Sequence, residues 1–350
     1  LSPFITAIAI SEGIRAQSLI SVKEGADLYL TFDEFGRNAA IPLKYLDEIK
    51  KIFGVTKAIP RIIGRAFVQN KLAVIVGTNK EDLPESISCI SGRMFENPNE
   101  VVVGHELAEH FHLRTGDQFS MRGQQRKTFT VVGFFSSDAS IWGASMILMS
   151  FKDAGELFGK QDVATDIQIH TLPGHNSEIA TDLYDIFQNE PYRLQDKHMV
   201  ELYFKKGFML KEGIFSALYL VALSLGVPAI LVASGFGLSE RKKEIGIMKA
   251  TGWNTLEVLE LISYEQLLIS LLGATIAILL AILWVKGFNG VFIAQFFVAE
   301  ITMLPKFTLP ARFLPLPCML SFFFAFILTM VGSIYSSWRA STESPVVSMK

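Results

Sequence analysis

The chain has 350 residues, of which 50% are hydrophobic and 19% are charged, and its formal net charge is −2 at pH 7. This length is sufficient to bury a sizeable core, and the near-neutral charge argues against nucleic acid as a partner. Cys89 and Cys318 do not suggest a disulfide framework, because one falls in a polar region and the other in a long apolar run.

Three long uncharged runs predict membrane-spanning helices. They cover residues 213–239, 266–285 and 313–338, which are 27, 20 and 26 residues long. A helix rises about 1.5 Å per residue and the hydrocarbon core of a bilayer is roughly 30 Å thick, so each run is long enough to cross. The alternative is a buried core helix of a soluble enzyme. It is disfavoured because such helices are shorter and carry polar residues on one face.

The opening run, residues 1–11, is uncharged but too short to span a bilayer. It has no basic residues in front of it, unlike a signal peptide. We expect it to be the outer end of a first transmembrane helix, reaching to about residue 20, whose beginning is missing from the sequence.

The region from residue 21 to 205 has the composition of a soluble domain and predicts two subdomains. An amphipathic helix over 43–53 lies between strands over 26–33 and 71–76, while the extended segment 55–68 is broken by Pro60 and Gly64. A later strand over 165–170 and a helix over 177–187 are expected to complete a split α+β subdomain, formed by residues 26–80 and 160–190.

A β-rich insert is predicted between these two pieces, over residues 91–150. Alternating patterns indicate four strands, over 101–103, 118–122, 128–135 and 145–149. A short helix is expected over 106–113. From residue 192 to 212 the chain is compatible with a helix that continues into the first long uncharged run.

Two short motifs resemble catalytic sites without matching them. A zinc protease needs two histidines four residues apart on one helix face, whereas His105 and His110 are five apart. The segment 155–161 is one residue short of a phosphate-binding loop, and Gln161 stands where the magnesium-binding hydroxyl belongs. We therefore predict no catalytic residues, no metal and no cofactor, and we expect Leu107, Ala108 and Phe111 to face the core.

One stretch carries a specific family resemblance. Residues 239–252, SERKKEIGIMKATG, followed by Glu265 and the sequence LLG at 271–273, resemble the REIGIxKAxG…E…LLG signature of FtsX-like, MacB-like ABC transporter permeases. The chain end around Trp338 and Pro345 resembles the WRAxxxxPxxxL tail of that family. The segments VVVGHELA at 101–108, Gly116-Asp117 and FTVVG at 129–133 resemble the pattern of its extracytoplasmic domain.

The resemblance implies a multi-pass α-helical membrane protein with four spans and a large α+β extracytoplasmic domain of two subdomains. The FtsX-like transmembrane domain would cover 206–350, with spans near 213–238, 264–286 and 313–337 and a cytoplasmic coupling loop at 239–256. The protein would lie in the inner (plasma) membrane, with its large domain outside.

The same resemblance implies the function of a permease subunit without its own ATPase site. Its partners would be a separate ATP-binding subunit, a second permease copy or homologue, membrane lipids and a periplasmic adaptor. Ile245, Met248 and Trp253 are expected to insert into the ATPase, while Arg241, Lys242 and Lys249 contact its acidic rim. The full set of expected ATPase-coupling residues is Glu240, Arg241, Lys242, Glu244, Ile245, Met248, Lys249 and Gly252.

Other functions remain open on the sequence. The charges of 240–252 fit a basic helix at the membrane surface equally well. The same architecture also suits a regulator of a cell-wall hydrolase. A secondary transporter is disfavoured because the uncharged runs hold no ionisable residue, although Glu265 lies at the edge of one. A membrane-tethered metalloprotease is the alternative with the weakest support.

Overall fold

The computed structural model describes residues 1–35, 37–68, 71–138, 145–236, 238–297 and 309–342. Within these ranges, the side chains of residues 71, 227, 229–236, 238–242, 332–337 and 339–342 lie outside the description. The chain divides into two compact units. The helical unit comprises the described residues of Leu1–Gly13, Phe208–Phe297 and Ala311–Lys350, and the α+β unit comprises those of Ile14–Gly207 and Val298–Pro310.

The α+β unit begins with an antiparallel sheet in the order β13-β1-β12-β4. Its strands are β1 (Leu28–Glu34), β4 (Val55–Val68), β12 (Asp166–Thr171) and β13 (Tyr192–Asp196). Two helices, α2 (Leu46–Lys51, after a 3₁₀ turn at Leu43–Tyr45) and α5 (Asn176–Phe187), supply the other residues of its core. Leu30, Ile49, Ile167, Leu183 and Phe187 are fully buried there. Short strands β2 (Arg37–Ala39), β3 (Ile41–Pro42) and β11 (Val163–Ala164) complete this part.

The second half of β4 enters a closed six-stranded barrel in the order β4-β5-β10-β7-β9-β8, with β8 pairing both β9 and β4. The other strands are β5 (Lys71–Gly77), β7 (Glu100–Gly104), β8 (Gln118–Arg122), β9 (Arg126–Ser137) and β10 (Met146–Met149). Closure removes the exposed strand edges that an open sheet would present. The barrel core includes Val68, Met121, Phe129 and Ile147 and is completed by α3 (His105–Phe111) and α4 (Phe151–Phe158).

A smaller apolar cluster lies on the outer surface of the barrel. Val76, Val102, Val132 and Leu148 point outward there and pack with Phe95, Phe135 and partly buried residues of the 83–94 segment. This segment contains β6 (Ile87–Gly92), which pairs only with β9 among the described residues and is largely exposed.

The exchange of partners by β4 is the main difference from the sequence-based subdivision. Residues 55–61 pair with β12, and residues 62–68 pair with β5. Pro60 and Gly64 were expected to break this segment, but the strand continues through both, so one strand serves both subdomains. Strand β5, expected in the split subdomain, therefore belongs to the barrel. Residues 192–196 were expected to be helical, but they form β13, because pairing with β1 satisfies their backbone groups.

The remaining strands and helices of the α+β unit agree with expectation to within about two residues, which is the usual spread of assigned ends. They include β1, β7, β8, β9, β10, β12, α3 and α5, whereas α2 begins three residues later than expected because Leu43–Tyr45 form a 3₁₀ turn. The sequence did not predict β2, β3, β6 or β11, which are short or largely exposed and carry little hydrophobic periodicity.

The helical unit contains most of the chain's apolar helices. Its helices among the described residues are α1 (Ser2–Glu24, whose first part lies here), α6 (Lys197–Phe236, from Phe208), α7 (Leu238–Ala250, which is largely polar), α8 (Thr255–Phe288), α9 (Ala294–Phe297) and α10 (Pro315–Thr342). The buried face of α8 is rich in small residues, including Ser270, Ala274, Ala277 and Ala281, and α8 packs along α10. Small residues allow two helices to approach closely, as is typical of membrane helix pairs.

The N-terminal part of α1 packs within this unit. The rings of Phe4 and Tyr219 stack at 4.3 Å between centroids, and Phe4 and Ile5 contact Ala281. The amide of Arg312 donates to the carbonyl of Ala9 at 2.8 Å.

The three predicted spans overlap α6, α8 and α10, but the count of four spans is not confirmed. By length and composition, two helices in the described residues are able to cross a membrane, Lys197–Gly226 and Thr255–Phe288, while Pro315–Val331 is a shorter apolar helix. Helix α1 covers all but the first of residues 1–20, which were expected to end a first span.

Candidate functional site

The corner between α7 and α8, defined here as residues Leu238–Leu256 and called the α7–α8 corner, is fixed by backbone hydrogen bonds. At the end of α7, the amide of Trp253 donates to the carbonyl of Met248 and that of Gly252 to Lys249, both at 3.1 Å. These two bonds form a Schellman motif. Its penultimate residue must adopt positive φ, and Gly252 does so at +104°. The conformational freedom of glycine is thus required at this position.

Helix α8 begins with a capping box, which the sequence indicates by Asn254 followed three residues later by Glu257. The side chain of Asn254 accepts a bond from the amide of Glu257 at 3.0 Å, and the Glu257 carboxylate accepts from the Asn254 amide at 2.8 Å. Both bonds satisfy amides that a helix start otherwise leaves unpaired. The two helices are therefore joined by a turn with a defined geometry.

Ile245 and Met248 pack inside the helical unit. Ile245 is 1% exposed and contacts Val258 and Ile262 of α8, with Met248 partly buried beside them. The expectation that Ile245 and Met248 insert into a partner therefore differs from the structure, in which these side chains hold α7 against α8. Because residues three apart share a helix face, one inward-facing stripe accounts for both positions.

Other residues form the exposed surface of the α7–α8 corner. Ile247 is 57% exposed, Leu256 is 76% exposed and Trp253 is 41% exposed. Lys243 and Glu244 are exposed beside Ile247, while Lys249 is half-buried. The backbone of Glu240, Arg241 and Lys242 is helical, and their side chains lie outside the described set. The sequence missed Ile247 and Leu256 because a helix with few apolar residues does not reveal which of them face inward.

A large cleft in the described residues of the α+β unit, called here the sheet cleft, has a volume of about 1120 Å³. Its floor is the polar face of the β1-β12-β4 sheet, and its walls include Gln17 and Ser21 of α1, Phe204 of α6 and the 81–85 segment. The Arg61 guanidinium binds the Asp166 carboxylate through two bonds, 3.0 Å from Nε and 2.6 Å from Nη2. The positive charge that Arg61 brings to the sheet cleft is therefore already neutralised by Asp166.

The ends of α1 and α6 are joined beside this cleft. Lys197, the first residue of α6, donates its ammonium group to the carbonyls of Lys23 and Gly25 at 2.5 and 3.2 Å. Its own amide donates to the carbonyl of Asp27 at 2.9 Å. A lysine at a helix C-terminus satisfies free carbonyls and stabilises the negative end of the helix dipole. Lys197 therefore fastens the start of α6 to the end of α1.

Two titratable groups of the sheet cleft are shifted by their surroundings. Burial raises the pKa of Tyr29, an effect that the nearby Arg61 opposes. Burial lowers the pKa of His170, with the Asp27 carboxylate acting in the opposite direction. Both shifts favour the neutral form, because a less polar environment penalises charge.

The two segments that resemble catalytic motifs, residues 105–110 and 155–161, occupy structural positions. Leu107, Ala108 and Phe111 are buried in the barrel core, as expected, and His105 Nε2 lies 3.8 Å from the Glu109 carboxylate on the surface of α3. Residues 155–161 form the end of α4, whose C-cap Gly159 is left-handed with φ +63°. Across the described residues, no three His, Cys, Asp or Glu side chains are grouped as metal ligands.

Two family models match the chain. The MacB-like periplasmic core domain matches residues 4–182, slightly more than half of the chain, and the FtsX-like permease C-terminal domain matches residues 216–345. The chain belongs to the FtsX-like, MacB-like ABC transporter permeases. These two matches confirm the family resemblance that the SERKKEIGIMKATG stretch and the C-terminal sequence around Trp338 and Pro345 indicate.

Solved structures also resemble the permease. The periplasmic region of MacB from Actinobacillus actinomycetemcomitans is 14% identical, with a TM-score of 0.40, over 53% of this chain and 97% of its own. The extracellular domain of the noncanonic ABC-type transporter YknZ from Gram-positive bacteria is 16% identical, with a TM-score of 0.38, over 48% of this chain and 99% of its own. No curated protein sequence matches the permease.

Proposed function

We propose that this permease couples ATP hydrolysis by a separate ATPase subunit to work on the far side of the membrane, by transmitting motion rather than by conducting a substrate through a pore. The product of that work would be export or extraction of a substrate. The α7–α8 corner carries the proposal. It is a charged, hydrogen-bonded turn with exposed apolar side chains, which is the chemistry of a docking element.

In this proposal, Ile247, Trp253 and Leu256 enter the ATPase groove. Lys243, Glu244 and Lys249, with Glu240, Arg241 and Lys242, contact its rim. Gly252 holds the turn, and Ile245 and Met248 transmit force to α8 through Val258 and Ile262. Motion transmitted in this way requires a firm joint, because a flexible turn absorbs displacement. The Schellman motif and the capping box support such a joint.

The proposal continues in the α+β unit. The chain enters this unit through α1 and leaves it through α6, and Lys197 joins the ends of these helices beside the sheet cleft. A displacement of either helix would therefore move a wall of that cleft relative to its floor.

The α+β unit would lie outside the inner membrane, the α7–α8 corner would be cytoplasmic, and the permease would pair with a second copy or a homologue. Lipids would surround its apolar helices, and an adaptor is a further partner of the outer unit.

The test is co-purification of the permease with its ATP-binding subunit. Ile247→Glu combined with Leu256→Glu places charge on exposed positions, so the permease should fold while recovery of the ATPase falls by at least about tenfold, the loss expected when an interface anchor is removed. Leu72→Glu combined with Ile90→Glu, also exposed aliphatic residues but in the α+β unit, should leave recovery unchanged.

A second double substitution distinguishes a loss of ATPase docking from a loss of folding. Ile245→Glu combined with Met248→Glu should reduce the yield of folded permease, because it buries charge against Val258 and Ile262. Full ATPase recovery with the Ile247/Leu256 variant would exclude this docking surface. Absence of any ATPase from the wild-type preparation would exclude the coupling proposal itself.

A further inference from the structure

The outer surface of the barrel carries a second cleft, called here the arginine cleft. It has a volume of about 860 Å³ and lies where the β4, β8 and β9 strands approach the end of α4. It is lined by Arg65, Phe67, Ser120, Arg122, Gly123, Gln124, Arg126 and Phe158. The described lining residues include three arginines and two aromatic rings but no Asp or Glu.

Strand register places the key side chains in one row. Phe67 of β4 pairs with Arg122 of β8, and Arg122 pairs with Arg126 of β9. Val68 and Met121, which adjoin Phe67 and Arg122 in the chain, point into the barrel core, as does Phe129, three residues after Arg126. Because side chains alternate along a strand, Phe67, Arg122 and Arg126 point outward together. Ser120 and Thr128 form the next outward pair, with their hydroxyl oxygens 3.2 Å apart.

The charge of this row is uncompensated. Like charges on directly opposed residues of an antiparallel pair are unfavourable. Arg61, Arg93 and Arg193 each bind a carboxylate, from Asp166, Glu100 and Asp33 respectively. In contrast, neither Arg122 nor Arg126 forms an ion pair with any residue that the structure describes, and both are exposed. The register therefore places two arginines opposite each other in one cleft, and the described residues supply neither with a counter-charge.

The cleft is built on a firm base. The ring of Phe158 lies directly over Gly64, where a Cβ atom would come within 2.4 Å of it, so the glycine makes room for the ring. The amides of Gln124 and Gln125 donate to the carbonyl of Leu157 at 3.1 Å, which attaches the β8–β9 turn to α4. Phe67 adds an apolar surface that is 52% exposed.

We propose that the arginine cleft binds an acidic segment of a partner protein. Arg122 and Arg126 would receive its carboxylates, because the planar guanidinium donates paired hydrogen bonds that match a carboxylate. Phe67 would pack against an apolar side chain beside them. Charge complementarity identifies the partner's chemistry, and the site lies in the α+β unit, so it is independent of ATPase docking at the α7–α8 corner.

The test uses the full chain in phosphatidylcholine nanodiscs and a fluorescein-labelled hexaglutamate peptide, with hexaglutamine as the uncharged control. The wild type should bind hexaglutamate, with affinity that falls as salt is added. Arg122→Gln combined with Arg126→Gln should weaken binding by at least about tenfold, since each lost charge-assisted bond is worth more than a neutral one. Phe67→Ala tests the aromatic contact with the arginines intact and should weaken binding of an acidic peptide that carries leucines.

A matched control removes two other exposed cations of the same unit, Arg114→Gln combined with Lys152→Gln, and should leave affinity unchanged. Equal binding of hexaglutamate by the wild type and the arginine variant would overturn the proposal, as would equal binding of hexaglutamine. A lipid-headgroup site would also overturn it. In that case phosphatidylglycerol vesicles would bind the wild type but not the arginine variant, and hexaglutamate would bind neither.

Discussion

Glu100 shows how a single carboxylate orders a surface loop. Its oxygens accept bonds from the amides of Glu96 and Asn97 at 2.9 and 3.0 Å, from the Asn97 side chain at 3.0 Å and from the Arg93 guanidinium. The Glu100 side chain is only 12% exposed. The Arg93 bond is the main reason that the pKa of Glu100 lies well below its usual range. The loop from 93 to 100 is therefore closed by an ionised carboxylate.

This residue predicts a pH dependence. A carboxyl whose pKa is lower in the folded state stabilises the protein above its unfolded-state pKa of about 4.5, and the benefit is lost as the pH falls from there toward the folded-state value. Glu100→Gln should lower the thermal midpoint of the α+β unit at pH 7. The difference from wild type should shrink as the pH falls below about 4.5.

The measurement is thermal unfolding of the full chain in detergent between pH 7 and pH 3. Glu85→Gln, at an exposed glutamate of the same unit, is the control and should follow the wild-type curve. A constant difference between wild type and Glu100→Gln at every pH would show that the side chain acts through shape rather than charge.

At the scale of elements, the α7–α8 corner depends on a backbone conformation that most residues resist. Gly252 has φ +104°, and a Cβ atom added to it would meet no neighbouring atom within 4 Å, so crowding is not the obstacle there. An L-residue in a left-handed conformation costs about 1 kcal/mol or more. The positive φ of this position, rather than crowding by neighbouring atoms, therefore requires glycine.

Gly252→Ala should loosen the corner. A cost of about 1 kcal/mol corresponds to roughly fivefold faster hydrogen exchange at the amides of Gly252 and Trp253, which bond back to α7. Mass spectrometry of peptides that span the turn would measure this change in the full chain.

Gly273→Ala is the matched control. Gly273 lies inside α8, also with nothing within 4 Å of the added Cβ, but with an ordinary helical φ. Alanine is a better helix former than glycine, so this variant should keep or raise protection. Equal effects of the two substitutions would mean that the corner does not depend on the left-handed conformation.

At the scale of the whole molecule, the helical unit and the α+β unit differ in what they expose. Many large apolar side chains of α6, α8 and α10 are exposed, including Leu218, Leu225, Leu272 and Leu279. A water-soluble surface rarely presents so much contiguous apolar area, whereas a lipid-facing surface does. The α+β unit buries its apolar residues in its own cores. This contrast supports a membrane location for the helical unit alone.

This arrangement predicts opposite accessibility for two cysteines. Cys89 is exposed on β6. With Cys318→Ser as background, a membrane-impermeant maleimide should label Cys89 in intact spheroplasts. In a background without native cysteines, Lys243→Cys on the α7–α8 corner should react only after the membrane is permeabilised.

Labelling of both positions from outside would place the α7–α8 corner on the wrong side for a cytoplasmic ATPase. Protection of both until permeabilisation would place the α+β unit inside the cell. Either result would contradict the proposed topology while leaving the fold unaffected.

Hydrophobic patterning in the sequence determined the apolar helices and most strands of the α+β unit, and the spacing of Asn254 and Glu257 determined the cap of α8. These features depend on residues close together in the chain, and their periods of 3.6 and 2 are visible locally. The motifs of residues 239–252 also determined the family. For the same reason, the sequence located the α7–α8 corner before any contact was known.

Only the tertiary structure decided which side chains of that corner are free to meet a partner. Ile245 and Met248 pack against α8, and Ile247 and Leu256 remain exposed, because burial depends on a neighbouring helix rather than on residue type. The exchange of partners by β4, the strand at 192–196 and the arginine row of β8 and β9 were likewise decided by pairing between distant segments. Long-range pairing sets which face each residue presents, and a local pattern does not contain that information.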